Sequence, residues 1–202
     1  MVARTLVLLI AGSLPAVALP AQTELAARSK GSPQAPVTVY EMSDFQCPYC
    51  KQHVDQTWPQ LEKEYVATGK VRWIFINFPL SMHRNAPPAA EFAMCAAREG
   101  RFWPAHDLLF RHQKAWAELP NTGSYFLGLA DSLKLPREKL RSCLETGATR
   151  QEIRDDAAGA VKSGAHSTPT FYIEGGMMAG ALPVEIWRPI LDSVYRAKTR
   201  RP

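Results

Sequence analysis

The chain has 202 residues, of which 46% are hydrophobic and 21% charged, with a formal net charge of +5. That balance suits one domain with a large buried core and excludes global disorder. The positive excess is spread along the chain except at Arg196, Lys198, Arg200 and Arg201, a solvated helix end. No basic block alternates with aromatic residues, so nucleic-acid binding has no support.

Residues 1–18 combine Arg4, an apolar run from Leu6 to Gly12 and the small-residue ending Ala16-Val17-Ala18. This is the pattern of a cleaved secretory signal peptide. The run is too short, and too broken by Ser13, Pro15 and Pro20, to span a membrane as a helix. Export would place the mature protein in the periplasm or another oxidising, extracytoplasmic space. Residues 19–35 are polar and contain Gly31, Ser32 and Pro33, so they read as a linker before a domain at 36–202.

The domain opens with a β-rich segment at 36–42 that sets Val37, Val39 and Glu41 on one face. A helix follows from the Cys47-Pro48-Tyr49-Cys50 turn to about Thr68, striped by Val54, Trp58, Leu61 and Tyr65. Pro59 kinks or interrupts it. Val71 to Phe78 is nearly continuously apolar, as a central strand is. From about 80 to 164 the pattern is helical throughout. An alanine-rich helix follows Pro87 and Pro88, and another carries Trp103, His106, Leu109 and Phe110. Three more are marked by Phe126 to Leu133, by Pro136 to Leu144 and by Ile153 to Val161. Strands return at Thr170 to Glu174 and Met177 to Ala179, around the Gly175-Gly176 turn. A last helix from about Pro183 buries Val184, Trp187, Ile190 and Leu191. The order is β-α-β, an all-helical block, then β-β-α, which makes an α/β fold with an insertion at about 80–164.

Four cysteines allow three pairings, and spacing favours Cys47 with Cys50 and Cys95 with Cys143. A Cys-x-x-Cys turn between a strand and a helix puts its first sulfur at the helix N-terminus. Free N–H groups and the positive end of the dipole stabilise a thiolate there. Cys47 is then the nucleophile, and Cys50, one turn on, the resolving thiol. His53 extends the pair to Cys-x2-Cys-x2-His, but a structural zinc needs four ligands and no second pair completes them, so no metal is expected. Cys95 and Cys143, 48 residues apart in separate helices, read as a structural disulfide. In Ser167-Thr168-Pro169-Thr170-Phe171 a proline begins a strand, which suits an edge, a turn or a cis bond.

Together these motifs resemble the DsbA-like branch of the thioredoxin superfamily, exported thiol:disulfide oxidoreductases. The resemblance runs over about residues 36–198. It is carried by V-Y-E-M-S-D-F-Q-C-P-Y-C, N-F-P-L with His83, A-A-E-F-A-M-C-A, R-F-W-P-A-H-D-L-L-F and S-T-P-T-F-Y-I-E-G-G. It implies a thioredoxin fold with a helical insertion, a cis peptide at Thr168–Pro169 and no dissociable cofactor. It also implies that Thr168 and Pro169 bind an extended substrate peptide through the backbone, a β-augmentation. The implied partners are reduced or misoxidised exported proteins and a membrane redox partner, either a DsbB-like oxidase or a reductant. Two positions depart from the strong oxidases: Tyr49 stands where they have His, and Thr168 where they have Val. Both point to a milder redox poise.

Individual residues have competing readings. Glu41 is either a buried proton acceptor for thiol exchange, as the resemblance implies, or a carboxylate at the strand edge reaching solvent. Asp44 reads as a turn former. His166 either faces the thiols, favouring the Cys47 thiolate, or is simply exposed in its loop. Tyr49, between the cysteines, can tune redox poise and touch substrate. His83 and His106 are given no chemistry. The function expected is the introduction of disulfides into exported proteins by exchange at Cys47 and Cys50. The alternatives are a reductase or isomerase linked to copper tolerance, and a copper-binding or chaperone module using the thiols as soft ligands.

Overall fold

The computed structural model describes residues 25–200, so the signal-peptide reading of residues 1–18 lies outside the described residues. Five strands form one sheet: β1 (Ser29–Lys30), β2 (Val37–Ser43), β3 (Val71–Asn77), β4 (Thr170–Ile173) and β5 (Gly176–Ala179), in the order β1-β3-β2-β4-β5. The pair β2–β3 is parallel, with Val37 opposite Val71 and Ser43 opposite Asn77. The other pairings are antiparallel, Glu41 facing Phe171 across β2 and β4. β2 is thus central, and its C-terminal end, the N-terminal end of β4 and the C-terminal end of β3 share one edge.

Between β2 and β3 run α1 (Pro48–Gln56), α2 (Trp58–Leu61) and a π-helical turn at Glu62–Val66. The single long helix expected there is broken at Thr57. Pro59 has no N–H to offer the carbonyl of Asp55, and its ring crowds the preceding turn. The insertion comprises α3 (Ala86–Ala97), α4 (Phe102–Arg111), α5 (Gln113–Trp116), α6 (Gly123–Ser132), α7 (Arg137–Thr146) and α8 (Arg150–Lys162), and α9 (Val184–Thr199) closes the chain.

Alternation along β2 sends Val37 and Val39 into a core with Trp58, Leu61, Trp73, Phe171, Trp187 and Leu191, beneath α2 and α9. Met42 points the other way, packing with Phe78, Ala160 and Ala165 under α8. Phe45 and Phe75 join the sheet to the core of the helical insertion, and Cys47 and Cys50 belong to that cluster. Residues 29–30, expected to be linker, instead form the edge strand β1 against Trp73 and Ile74. Buried Arg28 anchors it by donating to the Phe75 carbonyl and pairing with Asp156 of α8. A two-residue strand is too short to leave a periodic pattern, so its polar composition reads as linker.

Cys95 of α3 is bonded to Cys143 of α7, with Cα atoms 5.9 Å apart. Closing a 48-residue loop removes denatured-state entropy worth at most about 4 kcal/mol. Replacing both residues with Ser is expected to lower unfolding free energy by about 2–4 kcal/mol in denaturant titration. The reactivity of Cys47 should persist in that variant.

Candidate active site

The chain leaves β2 through Asp44-Phe45-Gln46 and enters α1 with Cys47 as its N-cap and Pro48 in the first turn. Proline costs nothing at that place, because the first helical N–H groups have no intrahelical acceptor. Cys47 and Cys50 are unbonded thiols in this structure. Both are buried, Cys47 at 3% exposure and Cys50 at 0%, whereas Tyr49 between them is 62% exposed.

Position on the helix gives the two sulfurs opposite acidities. Cys47 is lowered from its ordinary value to about 6. The Cys50 thiol, as hydrogen-bond donor, contributes most, with help from Thr168 and from the backbone at Cys50 and Tyr49, all against the cost of burial. Cys50 moves far upward, chiefly because it is wholly buried and then because a Cys47 thiolate beside it repels a second charge. The Asp44 N–H, 3.5 Å from Cys50 Sγ, and the nearby Ser43 hydroxyl pull the other way without reversing this.

Across the edge of the sheet, Thr168–Pro169 is a cis peptide bond. As a thiol, Cys47 Sγ donates to the Thr168 carbonyl at 3.3 Å. The Thr168 hydroxyl is buried without another partner and is the donor available to a thiolate. The Cys-x-x-Cys turn and the cis-proline loop, more than a hundred residues apart in the chain, therefore meet at one sulfur.

The thioredoxin family model matches residues 23–193. This chain belongs to the thioredoxin family. Among its relatives, the Na(+)/H(+) antiporter NhaA 1 of Salinispora arenicola is 33% identical over 86% of this chain, which spans a quarter (25%) of the antiporter's length. The "Probable disulfide bond formation protein D" of Bacillus anthracis is 30% identical over 74% of this chain and 70% of its own. The crystal structure of oxidised BdbD from Bacillus subtilis superposes with a TM-score of 0.76 at 24% identity, covering 84% of this chain and 92% of that one. The thioredoxin fold with its helical insertion is the architecture this chain shares with it.

Within this thioredoxin-family site, several side chains do more than their sequence context suggests. Asp44, expected to be a turn former, is fully buried and organises the loop. Its Oδ1 accepts from the Gln46 N–H at 2.7 Å, and its Oδ2 accepts from the Leu80 N–H and pairs with His83 Nδ1, both at 2.8 Å. One carboxylate thus joins the turn before Cys47 to the segment after β3 and holds its own N–H toward Cys50. The insertion braces the same loop: Gln113 Nε2 donates to the carbonyls of Phe45 and Cys47, and Gln46 bonds to Asn85 and Ala117.

Glu41 does not reach solvent. It is 2% exposed on the central strand, with Oε2 accepting from Trp73 Nε1–H at 2.8 Å and Oε1 unpartnered among the described residues. His53 is likewise sealed in, packed against Trp73, Phe171 and Trp187, and burial lowers its basicity although Glu41 opposes the shift. Among the described residues no cluster of three or more His, Cys, Asp or Glu side chains is placed to hold a metal ion. His166 is exposed, and no hydrogen bond joins it to either sulfur among the described residues. Neither Asp44 nor His83 carries a spacing that announces its role; the ion pair spans 39 positions.

Alkylation of the reduced protein should therefore rise with pH through about 6 and then level off, all of it on Cys47. Peptide mapping should find Cys50 unmodified throughout that range. Linkage predicts a second consequence, because the folded-state value of Cys47 lies below its ordinary 9.0. The thiolate's stabilisation of the reduced fold is complete above about 9 and is lost as pH falls through about 6. Asp44→Ala leaves the Leu80 and Gln46 N–H groups without their acceptor and should cost on the order of 2–3 kcal/mol of stability, measured by denaturant unfolding.

Proposed function

We propose that this chain is a protein thiol:disulfide oxidoreductase that works outside the cytoplasm and introduces disulfides into reduced substrate proteins. The observation that carries this reading is the contrast between an acidic sulfur at Cys47, at the helix N-terminus, and a wholly buried, weakly acidic one at Cys50. In the oxidised form, a substrate thiolate attacks Cys47 Sγ and the Cys47–Cys50 bond breaks, its electron pair leaving on Cys50, which takes up a proton. A second substrate thiolate then attacks the substrate sulfur of the mixed disulfide. The substrate disulfide forms and Cys47 departs as a thiolate, a good leaving group because its pKa is about 6.

The Thr168 carbonyl supports the same reading, because it lies where an extended peptide presenting its sulfur to Cys47 would find a backbone partner. Exposed Tyr49 is the side chain such a peptide would meet on the helix side. Substrates are proteins carrying free cysteines, and a membrane-bound oxidant of the DsbB-like type would return Cys47 and Cys50 to the disulfide. Export by a signal peptide belongs to the same proposal, as does service in the periplasm or an equivalent space. Among the described residues no helix is long and apolar enough to cross a membrane.

Trapping tests the roles directly. Cys50→Ala should accumulate mixed disulfides with other proteins, visible as reducible bands, because Cys50 can no longer attack Cys47 Sγ and free the partner. Cys47→Ala should accumulate none, and equal trapping by both would overturn the assignment. The redox direction is read by equilibration with glutathione. A stabilised Cys47 thiolate, moderated by Thr168 and Tyr49, is expected to give a potential of about −200 to about −120 mV. A value near that of thioredoxin, about −270 mV, would reject the oxidase direction in favour of a reductase. Copper titration of the reduced protein against a thiol-blocked control separates exchange from metal carriage, and the exchange reading expects no binding that blocking abolishes.

A further inference from the structure

When the Cys47–Cys50 bond opens, its electron pair leaves on a sulfur with no exposed surface. Bulk water does not reach that charge, so donors already aimed at the sulfur decide how good a leaving group it is. Two stand beside Cys50. The Asp44 N–H lies 3.5 Å from its Sγ, and the Ser43 hydroxyl is buried with no hydrogen-bond partner among the described residues. Both favour a charged Cys50 against the larger effect of burial. A hydroxyl can rotate, whereas an amide N–H points where its peptide plane points. Whatever fixes that plane fixes the donor.

The plane is the Ser43–Asp44 peptide unit, and one short segment, Phe78 to His83, clamps it at two places. The Ser43 carbonyl accepts from the Phe78 N–H at 2.8 Å. In a planar trans unit this turns the opposite group, the Asp44 N–H, away from β3 and leaves it to Cys50. The second clamp is the Asp44 side chain, whose Oδ2 accepts from the Leu80 N–H and pairs with His83 Nδ1, both at 2.8 Å. The His83 N–H bonds back to the Leu80 carbonyl at 2.9 Å, so a closed turn carries the ring to the carboxylate. Asp44 Oδ1 accepts from the Gln46 N–H, and the Asp44 carbonyl accepts from the Cys47 N–H at 3.1 Å. Every acceptor of Asp44 is engaged, and its N–H faces the sulfur. Both carboxylate oxygens already receive backbone N–H groups, and His83 Nδ1, as donor, adds the side-chain bond. The Asp44 side chain is 0% exposed, whereas that of His83 is 18% exposed and reaches solvent.

We propose that the Asp44 N–H is the donor that receives the charge leaving on Cys50, and that His83, acting through the Asp44 carboxylate, is the positioning residue that holds it in line. The proposal rests on the thiol-exchange reading above. A substrate thiolate attacks Cys47 Sγ, a bond forms between those two sulfurs, the Cys47–Cys50 bond breaks and its electron pair passes to Cys50 Sγ. The Asp44 N–H holds that charge until Cys50 is protonated. Closure passes through the same charge in reverse: Cys50 loses its proton, attacks Cys47 Sγ and expels the partner's thiolate. A donor fixed before either step needs no reorientation during it. Removing the His83 ring leaves the carboxylate its two backbone donors and lets the Ser43–Asp44 unit rock about the bonds that remain. The charge is transient, since Cys50 is bonded in the oxidised form and a thiol in the reduced form. His83 therefore acts on the rates of opening and closing together and leaves their ratio, the redox equilibrium, in place.

Reduction of the oxidised full-length protein by dithiothreitol times the opening step, with rapid acid quench and maleimide labelling to count the thiols freed. His83→Ala and the bulkier His83→Leu both remove the donor. Each is expected to slow opening by about five- to tenfold, less than the roughly 10²–10³-fold that loss of a donor itself costs. His83→Asn sets an amide N–H where Nδ1 stands and should bring the rate to within about twofold of the unsubstituted protein. Asp44→Asn turns an NH2 group toward backbone donors and should slow opening further than His83→Ala. Two readouts separate positioning from loosened packing. The alkylation rate of Cys47 in the reduced protein, and the equilibrium with a glutathione buffer, should each move by less than about twofold in the His83 variants. Opening within about twofold of the unsubstituted rate, in whichever of His83→Ala and His83→Leu folds, would overturn the assignment. So would a His83→Asn variant as slow as His83→Ala, or Cys47 alkylation that falls in step with opening. A quenched dithiothreitol adduct mapped to Cys50 instead of Cys47 would refute Cys47 as the attacked sulfur, so the two readings fail separately.

Discussion

Burial and the end of a helix act on two identical side chains three residues apart, and the rest of the site is arranged around the result. Cys47 caps α1, where free N–H groups and the Cys50 thiol offset its loss of water. Cys50 lies one turn deeper with no exposed surface, and the Ser43 hydroxyl and Asp44 N–H offset only part of the cost of charging it. The two-residue spacer places one sulfur at the dipole's positive end and the other, one turn on, inside the core. The two acidities are thereby set apart. The helix alone would not suffice; Thr168, from the far end of the chain, completes the environment of Cys47.

The helical insertion acts on this arrangement from outside the sheet. Without support, the loop from Asp44 to Gln46 would have three residues of backbone to satisfy at the mouth of the site. Gln113 supplies donors to the carbonyls of Phe45 and Cys47, and Asn85 is bonded to Gln46. The Asp44 carboxylate adds a tie to the segment that leads from β3 into α3. The disulfide from α3 to α7 stiffens the block that carries these groups. Rigidity here has a direct chemical effect, since the acidity of a thiol depends on donors held at fixed distance rather than found by chance.

Burial also extends to polar side chains of the core. Glu41, His53 and His106 are placed where apolar side chains would stabilise the core more. The protein tolerates them among Trp73, Phe75, Trp103 and Phe171, whose rings exclude bulk water but leave polar edges, such as the Trp73 indole N–H, to hold Glu41.

Much of this was legible in residue order. Strand, Cys-x-x-Cys, helix, strand is a local pattern, and local rules of periodicity, capping and helix-end electrostatics identify it and the sulfur at its helix end. The strand carrying Phe171, the proline before it and the helical block between are likewise set by short-range sequence. What residue order could not supply are relations across the chain. Asp44 looks like any turn aspartate until Leu80 and His83 arrive beside it. His53 and His106 look like unrelated helix residues, 53 positions apart, until packing buries both in the core and brings them near one another. Strand β1 is invisible because two residues have no period, and its place depends on Arg28 finding Asp156. Glu41 could have faced water or core by its sequence; the neighbours β3 and β4 on either side decided that it is buried. Periodicity and capping act within a few residues of one segment, whereas burial and the acidity that follows from it are properties of whatever the fold packs around a group.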